Sequence, residues 1–224
     1  MSLRRGFTLA ALVAAFTAVE SRASVVVDAF TVAQTLTQQG VGLNTSTASG
    51  PGILGGTRTL SVFLDATPPF AVGVANIGNG IFSGSFTGPN NPTGGSYFDL
   101  AYSTAATNVA NGNQGISFAA SSQGGSTITI AANGSSTATI TVPDAPGFAN
   151  YFISFASFSN PSVFSALTSL DFKATFPNVT GSGPSISINT PIIISSIPEP
   201  SVLALGSLAC VMLAGLRLRR NSQR

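Results

Sequence analysis

Apolar residues between the two ends of the chain alternate with polar ones, in short runs separated by Gly, Asn, Pro and Ser. A period of two places the apolar side chains of a strand on one face, and no segment of the body has the 3.6-residue period of an amphipathic helix. About ten strands in one unit suit two sheets, since each sheet then buries one face. The pattern therefore predicts a single all-β, two-sheet sandwich, with strands at residues 24–32, 58–64, 70–75, 81–86, 97–102, 116–120, 126–131, 137–142, 150–158, 170–176 and 185–194.

The strands at residues 126–131 and 137–142 are close enough in sequence for their register to be predicted. A two-residue turn between them would put the isoleucines of the two strands on opposite faces of the sheet. An odd-numbered loop centred on Gly134 avoids this. It pairs Ile130 with Ala138 and, two residues further along each strand, Ile128 with Ile140.

The segment at residues 150–158 is apolar on both sides of its predicted strand. Strands that are buried on both faces have this composition, so we expect it in the centre of a sheet. The segment before it, residues 143–147, contains two prolines and a glycine and predicts a rigid turn. No repeat or change of composition divides residues 24–197, which are expected to form one domain.

The first 23 residues have the parts of a secretory signal peptide. Two arginines precede an apolar stretch at residues 7–19, and Ser21 and Ala23 supply small residues at positions −3 and −1. We therefore expect signal cleavage after Ala23. A type IV prepilin start is an alternative, but such signals carry Glu five residues after the glycine, where this chain has Ala11. A twin-arginine signal is the other alternative.

The last 27 residues contain, in order, a Pro-Glu-Pro tripeptide, an apolar run of 16 residues and a basic end. The residues are Pro198, Glu199 and Pro200, then 201–216, then Arg217, Arg219 and Arg220. The prolines fix φ and remove two amide donors, so Glu199 is expected to be extended and exposed. The apolar run predicts a transmembrane helix, and the arginines predict a membrane stop on the cytoplasmic side. The body between the two basic ends is then expected to lie outside the cytoplasmic membrane.

This tail resembles the PEP-CTERM sorting signal, in which a Pro-Glu-Pro motif precedes a transmembrane helix and an Arg-rich end. The resemblance implies that an exosortase, an integral-membrane processing enzyme, acts on the chain in a Gram-negative host that makes extracellular polymer. It implies a transient inner-membrane anchor, followed by a location at the cell surface or in the extracellular matrix. An ordinary tail anchor with an accidental Pro-Glu-Pro is the alternative. The expected organisation is a signal peptide at 1–23, an ectodomain at 24–197 and a sorting signal at 198–224.

Four short motifs of the body resemble exported PEP-CTERM proteins as well. They are Val27-Asp28-Ala29-Phe30, the segment at residues 52–58, Phe98-Asp99-Leu100 and Phe155-Ala156-Ser157-Phe158. Such ectodomains look like jelly-roll sandwiches of the carbohydrate-binding-module kind. The resemblance therefore implies a jelly-roll-like sandwich for residues 24–197.

The charge of the body differs from that of the whole chain. The chain has a formal charge of +2, but residues 25–197 contain two cations, Arg58 and Lys173, against five aspartates, a net charge of −3. The body therefore lacks the basic surface that nucleic-acid binding requires. The absence of His excludes a Ser-His-Asp triad and His-ligated zinc or haem. The single cysteine, Cys210, lies in the predicted span, so no disulfide is expected.

Few side chains remain that could carry chemistry. The five aspartates are dispersed along the chain, whereas a glycosidase needs two carboxylates across a cleft, so we expect no enzyme. Asp28 and Asp99 are the candidates for a structural calcium ion, and no other cofactor is expected. Because the chain has no Trp, Tyr97 and Tyr102 are the candidate glycan contacts, provided that both lie exposed on one sheet face.

Two functions follow from these observations. The first is an exported, exosortase-processed surface or extracellular-matrix protein, whose sandwich is structural or adhesive and associates with extracellular polysaccharide. The alternative is a carbohydrate-binding module with a defined glycan site. A hydrolase would require a pair of aspartates that face each other in one cleft.

Overall fold

The computed structural model describes residues 24–65, 72–88, 95–177 and 183–195, which form thirteen strands and three short 3-10 helices. The predicted signal peptide, sorting motif and transmembrane span lie outside these residues. No helix within the described ranges is long and apolar enough to cross a membrane. The strands are β1 Val25–Asp28, β2 Gln34–Gln39, β3 Gly42–Ser49, β4 Thr57–Leu64, β5 Val72–Gly78, β6 Ile81–Thr87, β7 Tyr97–Thr107, β8 Gly115–Gln123, β9 Ser126–Ala132, β10 Ser136–Val142, β11 Ala145–Ser154, β12 Leu167–Thr175 and β13 Ser185–Ser195. The 3-10 helices are Leu54–Gly56, Phe155–Ser157 and Pro161–Ala166.

The strands form two sheets of a sandwich. One sheet has seven strands in the order β11-β8-β13-β6-β5-β2, with β1 paired to β13, and the other has six in the order β10-β9-β12-β7-β4-β3. From β6 to β13 the order is β6-β13-β8-β11 in one sheet and β7-β12-β9-β10 in the other, which is the double Greek key of a jelly roll. The predictions of an all-β sandwich and of a jelly-roll-like topology are both confirmed.

The core lies between the sheets and is rich in phenylalanine. Phe86 and Phe98, from opposite sheets, stack with their ring centroids 4.3 Å apart. Two glycines make this close packing possible, because a Cβ at Gly84 would lie 2.7 Å from the Phe98 ring and a Cβ at Gly73 2.8 Å from the Phe86 ring. The apolar side chains of the alternating strands therefore pack into a single aromatic and aliphatic core.

The predicted register of the β9–β10 hairpin is confirmed. Ile130 pairs with Ala138 and Ile128 with Ile140, across a three-residue loop. Asn133 and Gly134 have φ values of 51° and 67°, a left-handed conformation that Gly adopts without strain. The need to bury one face of both strands selects the odd loop over a two-residue turn.

Two predictions about the segment around β11 are wrong. β11 is the edge strand of the seven-stranded sheet rather than a central one. Its apolar end leaves the sheet as a 3-10 helix, and Phe155 and Phe158 pack on Phe164, with ring centroids 3.9 Å and 4.8 Å apart. The residues at 143–147 are not only a turn, because β11 already begins at Ala145 and pairs with β8.

The sequence pattern also missed β2 and β3. Both are rich in Gln, Thr, Ser and Asn and lie at the same edge of the sandwich, one in each sheet. Polarity does not alternate along them, so hydrophobic periodicity carries no signal there. The first predicted strand, at residues 24–32, ends at Asp28 because Phe30 has a φ of 48° and turns the chain.

Candidate functional site

Asp28 and Tyr102 lie in a buried polar cluster inside the sandwich. Arg58 donates from Nη1 to Asp28 Oδ2 at 2.6 Å, and the Tyr102 hydroxyl donates to the same oxygen at 2.9 Å. Asp28 Oδ1 accepts from the Phe30 amide at 2.7 Å, and Arg58 Nε donates to Gln34 Oε1 at 3.0 Å. Asp28, Arg58 and Tyr102 are each 0% exposed. This cluster joins β1 and β2 of one sheet to β4 and β7 of the other.

The burial of Tyr102 means that the expected exposed tyrosine pair does not form. Tyr97 and Tyr102 are five residues apart on β7, so alternation along the strand points their side chains to opposite faces. Burial, and then the charge of Asp28, raises the pKa of Tyr102 well above its ordinary value, so the hydroxyl is a neutral donor. Tyr97 alone remains a candidate glycan contact, on the outer face of the six-stranded sheet.

Three apolar side chains form a row across the outer face of the six-stranded sheet. Strand register pairs Leu43 with Phe63 and Phe63 with Tyr97. The rings of Phe63 and Tyr97 stack with centroids 5.1 Å apart at an interplanar angle of 27°. Both rings are partly exposed, and Leu43 is 55% exposed. The row gives this face an apolar strip.

The next positions along the same face carry charge. Lys173 on β12 pairs with Asp99 on β7, while Asp171 lies diagonal to Asp99. The Lys173 ammonium lies over the Tyr97 ring, 3.8 Å from its centroid, in a cation–π contact. We call the surface formed by Leu43, Phe63, Tyr97, Asp99, Asp171 and Lys173 the aromatic face.

Asp99 is the unusual side chain of the aromatic face. Its Oδ1 is buried and has no hydrogen-bond partner in the structure. Burial, followed by the charge of Asp171, raises the pKa of Asp99 to about 7, although Lys173 and the Leu100 amide oppose the shift. Burial also raises the pKa of Asp171. A buried acceptor without a partner costs free energy, because it has lost its hydrogen bonds to water without gaining others.

The two candidate calcium ligands do not share a site. Asp28 points into the core, where the Phe30 amide, Arg58 and Tyr102 occupy both oxygens, and Asp99 lies on the aromatic face. Within the described parts of the chain, no group of three or more His, Cys, Asp or Glu side chains could hold a metal ion. A calcium ion held by one of these aspartates together with backbone carbonyls stays a prediction.

Asp99 and Asp171 both belong to the aromatic face. They lie on neighbouring strands of one sheet face, side by side rather than facing each other across a cleft. The opposed pair that glycoside hydrolysis requires is therefore not what this geometry provides.

The outer face of the seven-stranded sheet has a different character. Register aligns a row of small polar side chains across five strands, and we call this surface the hydroxyl face. The row is Thr35, Asn76, Ser83, Ser187 and Ser121. At one end a groove of about 360 Å³ is lined by serines of β8 and β13 and by exposed Asp144, which precedes β11.

Comparison with known proteins finds weak structural similarities. No protein-family model matches the chain, and no curated protein matches it. It is similar to the family 11 carbohydrate-binding module of the cellulosomal cellulase Lic26A-Cel5E of Clostridium thermocellum, at 16% identity and a TM-score of 0.44, over 80% of this chain and 98% of that chain. It is also similar to the agarase AgWH50C, at 10% identity and a TM-score of 0.44, over 78% of this chain and 25% of that chain. Similarities as low as these do not identify a ligand for this chain.

Proposed function

We propose that the sandwich is a non-catalytic carbohydrate-binding module and that the aromatic face holds the glycan. The observation that supports this most directly is the Phe63–Tyr97 stack beside the unpartnered Oδ1 of Asp99. A sugar ring presents an apolar C–H face and hydroxyl donors at its edge. A partly exposed aromatic ring buries the first, and a carboxylate acceptor binds the second.

The proposal places one sugar ring on Tyr97, with a hydroxyl directed at Asp99. Lys173 then has to leave the Tyr97 ring, which its long side chain permits because it is exposed. The sugar hydroxyl also has to gain access to Asp99 Oδ1, which is buried in the free protein. Rows of threonine side chains on β9 and β10 continue the face beyond the charged residues and offer further hydroxyl partners. An extended polymer chain could lie along this surface.

The test is retention of the purified full-length protein on polysaccharide-coated beads, for wild type and Tyr97→Ala. We expect Tyr97→Ala to weaken binding by about tenfold or more, because a central aromatic contact is typical of the residues that dominate an interface. Ser83→Ala, on the hydroxyl face, is the matched control and should bind as wild type does. Equal binding by wild type and Tyr97→Ala would contradict the proposed site.

For the whole chain, we propose export and exosortase processing, followed by association with extracellular polysaccharide at the cell surface or in the matrix. The order of the Pro-Glu-Pro motif, apolar run and arginines supports this, and so does the acidic body between two basic ends. In the native host, mass spectrometry of the mature protein should find a chain without Arg219 and Arg220. Changing Pro198, Glu199 and Pro200 to Ala should leave these arginines in place. Mature wild-type protein that still carries them would show a permanent anchor.

A further inference from the structure

We infer that the glycan held by the aromatic face is uncharged, and that the carboxylates around this face exclude uronic-acid and sulfated polymers. The inference rests on the proposed function, since it specifies the class of polysaccharide that the same face binds.

The first step is the charge around the apolar strip. Asp99 and Asp171 lie beside it, and Asp65 follows β4 two residues after Phe63. The Asp65 carboxylate lies against Gly95, close to the start of β7, so it borders the same end of the strip as Tyr97. The remaining outward positions of β3, β4, β9 and β10 are uncharged.

The second step concerns Lys173, the one cation on this face among the described residues. Its ammonium lies over the Tyr97 ring in the free protein, and when a bound sugar displaces it Asp99, its partner in register, remains beside it. A ligand carboxylate that reached Lys173 would also approach Asp99 and Asp171. Arg58, the other cation of the body, is buried in its ion pair with Asp28 and offers no charge to a ligand.

The balance therefore favours an uncharged ligand. Each carboxylate at roughly 7–8 Å from a ligand charge weakens binding about two- to threefold in a dielectric near that of water, and more at a partly desolvated site. Three such carboxylates against one ammonium leave two uncompensated charges, which correspond to about four- to ninefold discrimination in water and to more at a partly desolvated site. Neutral hydroxyl groups meet no such cost, and they supply the donor that Asp99 Oδ1 lacks.

The experiment compares one polymer in two charge states. The full-length protein in detergent is applied at pH 8 to beads that carry mixed-linkage β-glucan, galactomannan or agarose. Any polymer that retains it is then oxidised at its primary alcohols, which changes hydroxymethyl groups to carboxylates without altering the backbone. We expect retention to fall about fivefold or more on the oxidised polymer at low salt, and to recover in part at high salt because screening weakens the repulsion.

Two variants locate the effect. The triple variant Asp65→Asn, Asp99→Asn, Asp171→Asn should bind native and oxidised polymer about equally, whereas Asp144→Asn, an exposed carboxylate at the hydroxyl face, should discriminate as wild type does. Oxidised polymer that binds as well as native polymer, or that loses binding in Lys173→Gln, would overturn the inference and leave the proposed function standing. Failure of the protein to bind any polymer, charged or uncharged, would overturn the proposed function together with the inference. The salt dependence of wild type tests the inference even if the triple variant does not fold.

Discussion

The outer faces of the two sheets differ in chemistry although they share one core and one backbone pattern. The aromatic face carries a stacked ring pair, two aspartates and a lysine, all within neighbouring strands. The hydroxyl face has a row of serine, threonine and asparagine side chains, and the outward positions of its strands carry no charge. Both faces are made by the positions that alternation leaves out of the core.

The two faces differ in how their side chains affect the stability of the free protein. Small polar residues suffice to keep the outer face of a sheet in water, as the hydroxyl face demonstrates. The aromatic face instead exposes Leu43 and the two rings, and it buries a carboxylate oxygen without a partner. Each of these features costs stability in the free protein, and this is why we place the proposed glycan site on the aromatic face.

The largest predicted effect comes from the cluster that both sheets share. Arg58→Met leaves Asp28 as a buried charge without a counter-ion, and removal of one partner from such a pair typically costs about 3–5 kcal/mol. We expect a fall of this size in the free energy of unfolding, measured by urea denaturation at pH 7. Glycan binding by the aromatic face should be unchanged at temperatures where the variant stays folded.

A loss below about 1 kcal/mol in Arg58→Met would show that water or another side chain neutralises Asp28, contrary to the buried ion pair. Thr139→Ala is a suitable control, because Thr139 is exposed at the edge strand β10 and lies far from the cluster in strand order. Its unfolding free energy should change by at most about 0.5 kcal/mol.

Much of this fold could be predicted from the sequence, and the reason is local. Most of the strands follow from alternation, and the β9–β10 register follows from matching the faces of Ile128 and Ile140 across a short loop. β2 and β3 could not be found in this way, since nothing in their polar sequences distinguishes an edge strand from a loop. The position of β11 at an edge depends on β8 and β13, which are distant in sequence.

The candidate site was predicted only in part. Tyr97 and Asp99 could be named, but their neighbours Phe63 and Lys173 belong to β4 and β12, and only the sheet order brings these strands beside β7. One error was avoidable. The odd separation of Tyr97 and Tyr102 on a single predicted strand already places them on opposite faces.

The second effect in size is a pH dependence that belongs to the aromatic face alone. Asp99 has a folded-state pKa of about 7 against an ordinary value of 3.8, so the folded chain binds more protons than the unfolded chain between these values. Stability from this group is present at low pH and is lost as pH rises through about 7, by about 2–4 kcal/mol in total. Asp171 and Lys173 face it from β12, Tyr97 lies on its own strand and β4 contributes only Ser61, which does not titrate.

Asp99→Asn isolates this pH dependence. We expect the variant to match wild type near pH 4 and to exceed it in unfolding free energy at pH 8, because the amide does not ionise. Asp144→Asn, a change of the same kind at the hydroxyl face, should follow the wild-type profile. If the unfolding free energies of wild type and Asp99→Asn changed in parallel with pH, the Asp99 carboxylate would be hydrated in solution. The aromatic face would then lack the buried carboxylate that distinguishes it from the hydroxyl face.

The smallest predicted effect concerns Lys173, whose ammonium lies over Tyr97 and beside Asp99. Lys173→Met keeps an apolar side chain of similar length but removes the charge that opposes the rise in the Asp99 pKa. The Asp99 pKa should therefore increase further, which an NMR titration of its carboxyl carbon would measure. Loss of the cation–π contact should cost about 0.5–1 kcal/mol at pH 8 and less near pH 5, where Asp99 is protonated and no longer attracts the ammonium.

Ser187→Met, the matched substitution on the hydroxyl face, should leave the Asp99 titration where it is in wild type. An Asp99 titration that is unchanged in Lys173→Met would show that the ammonium does not interact with the Asp99 carboxylate in solution. Lys173 would then cover Tyr97 without affecting the charge of the aromatic face.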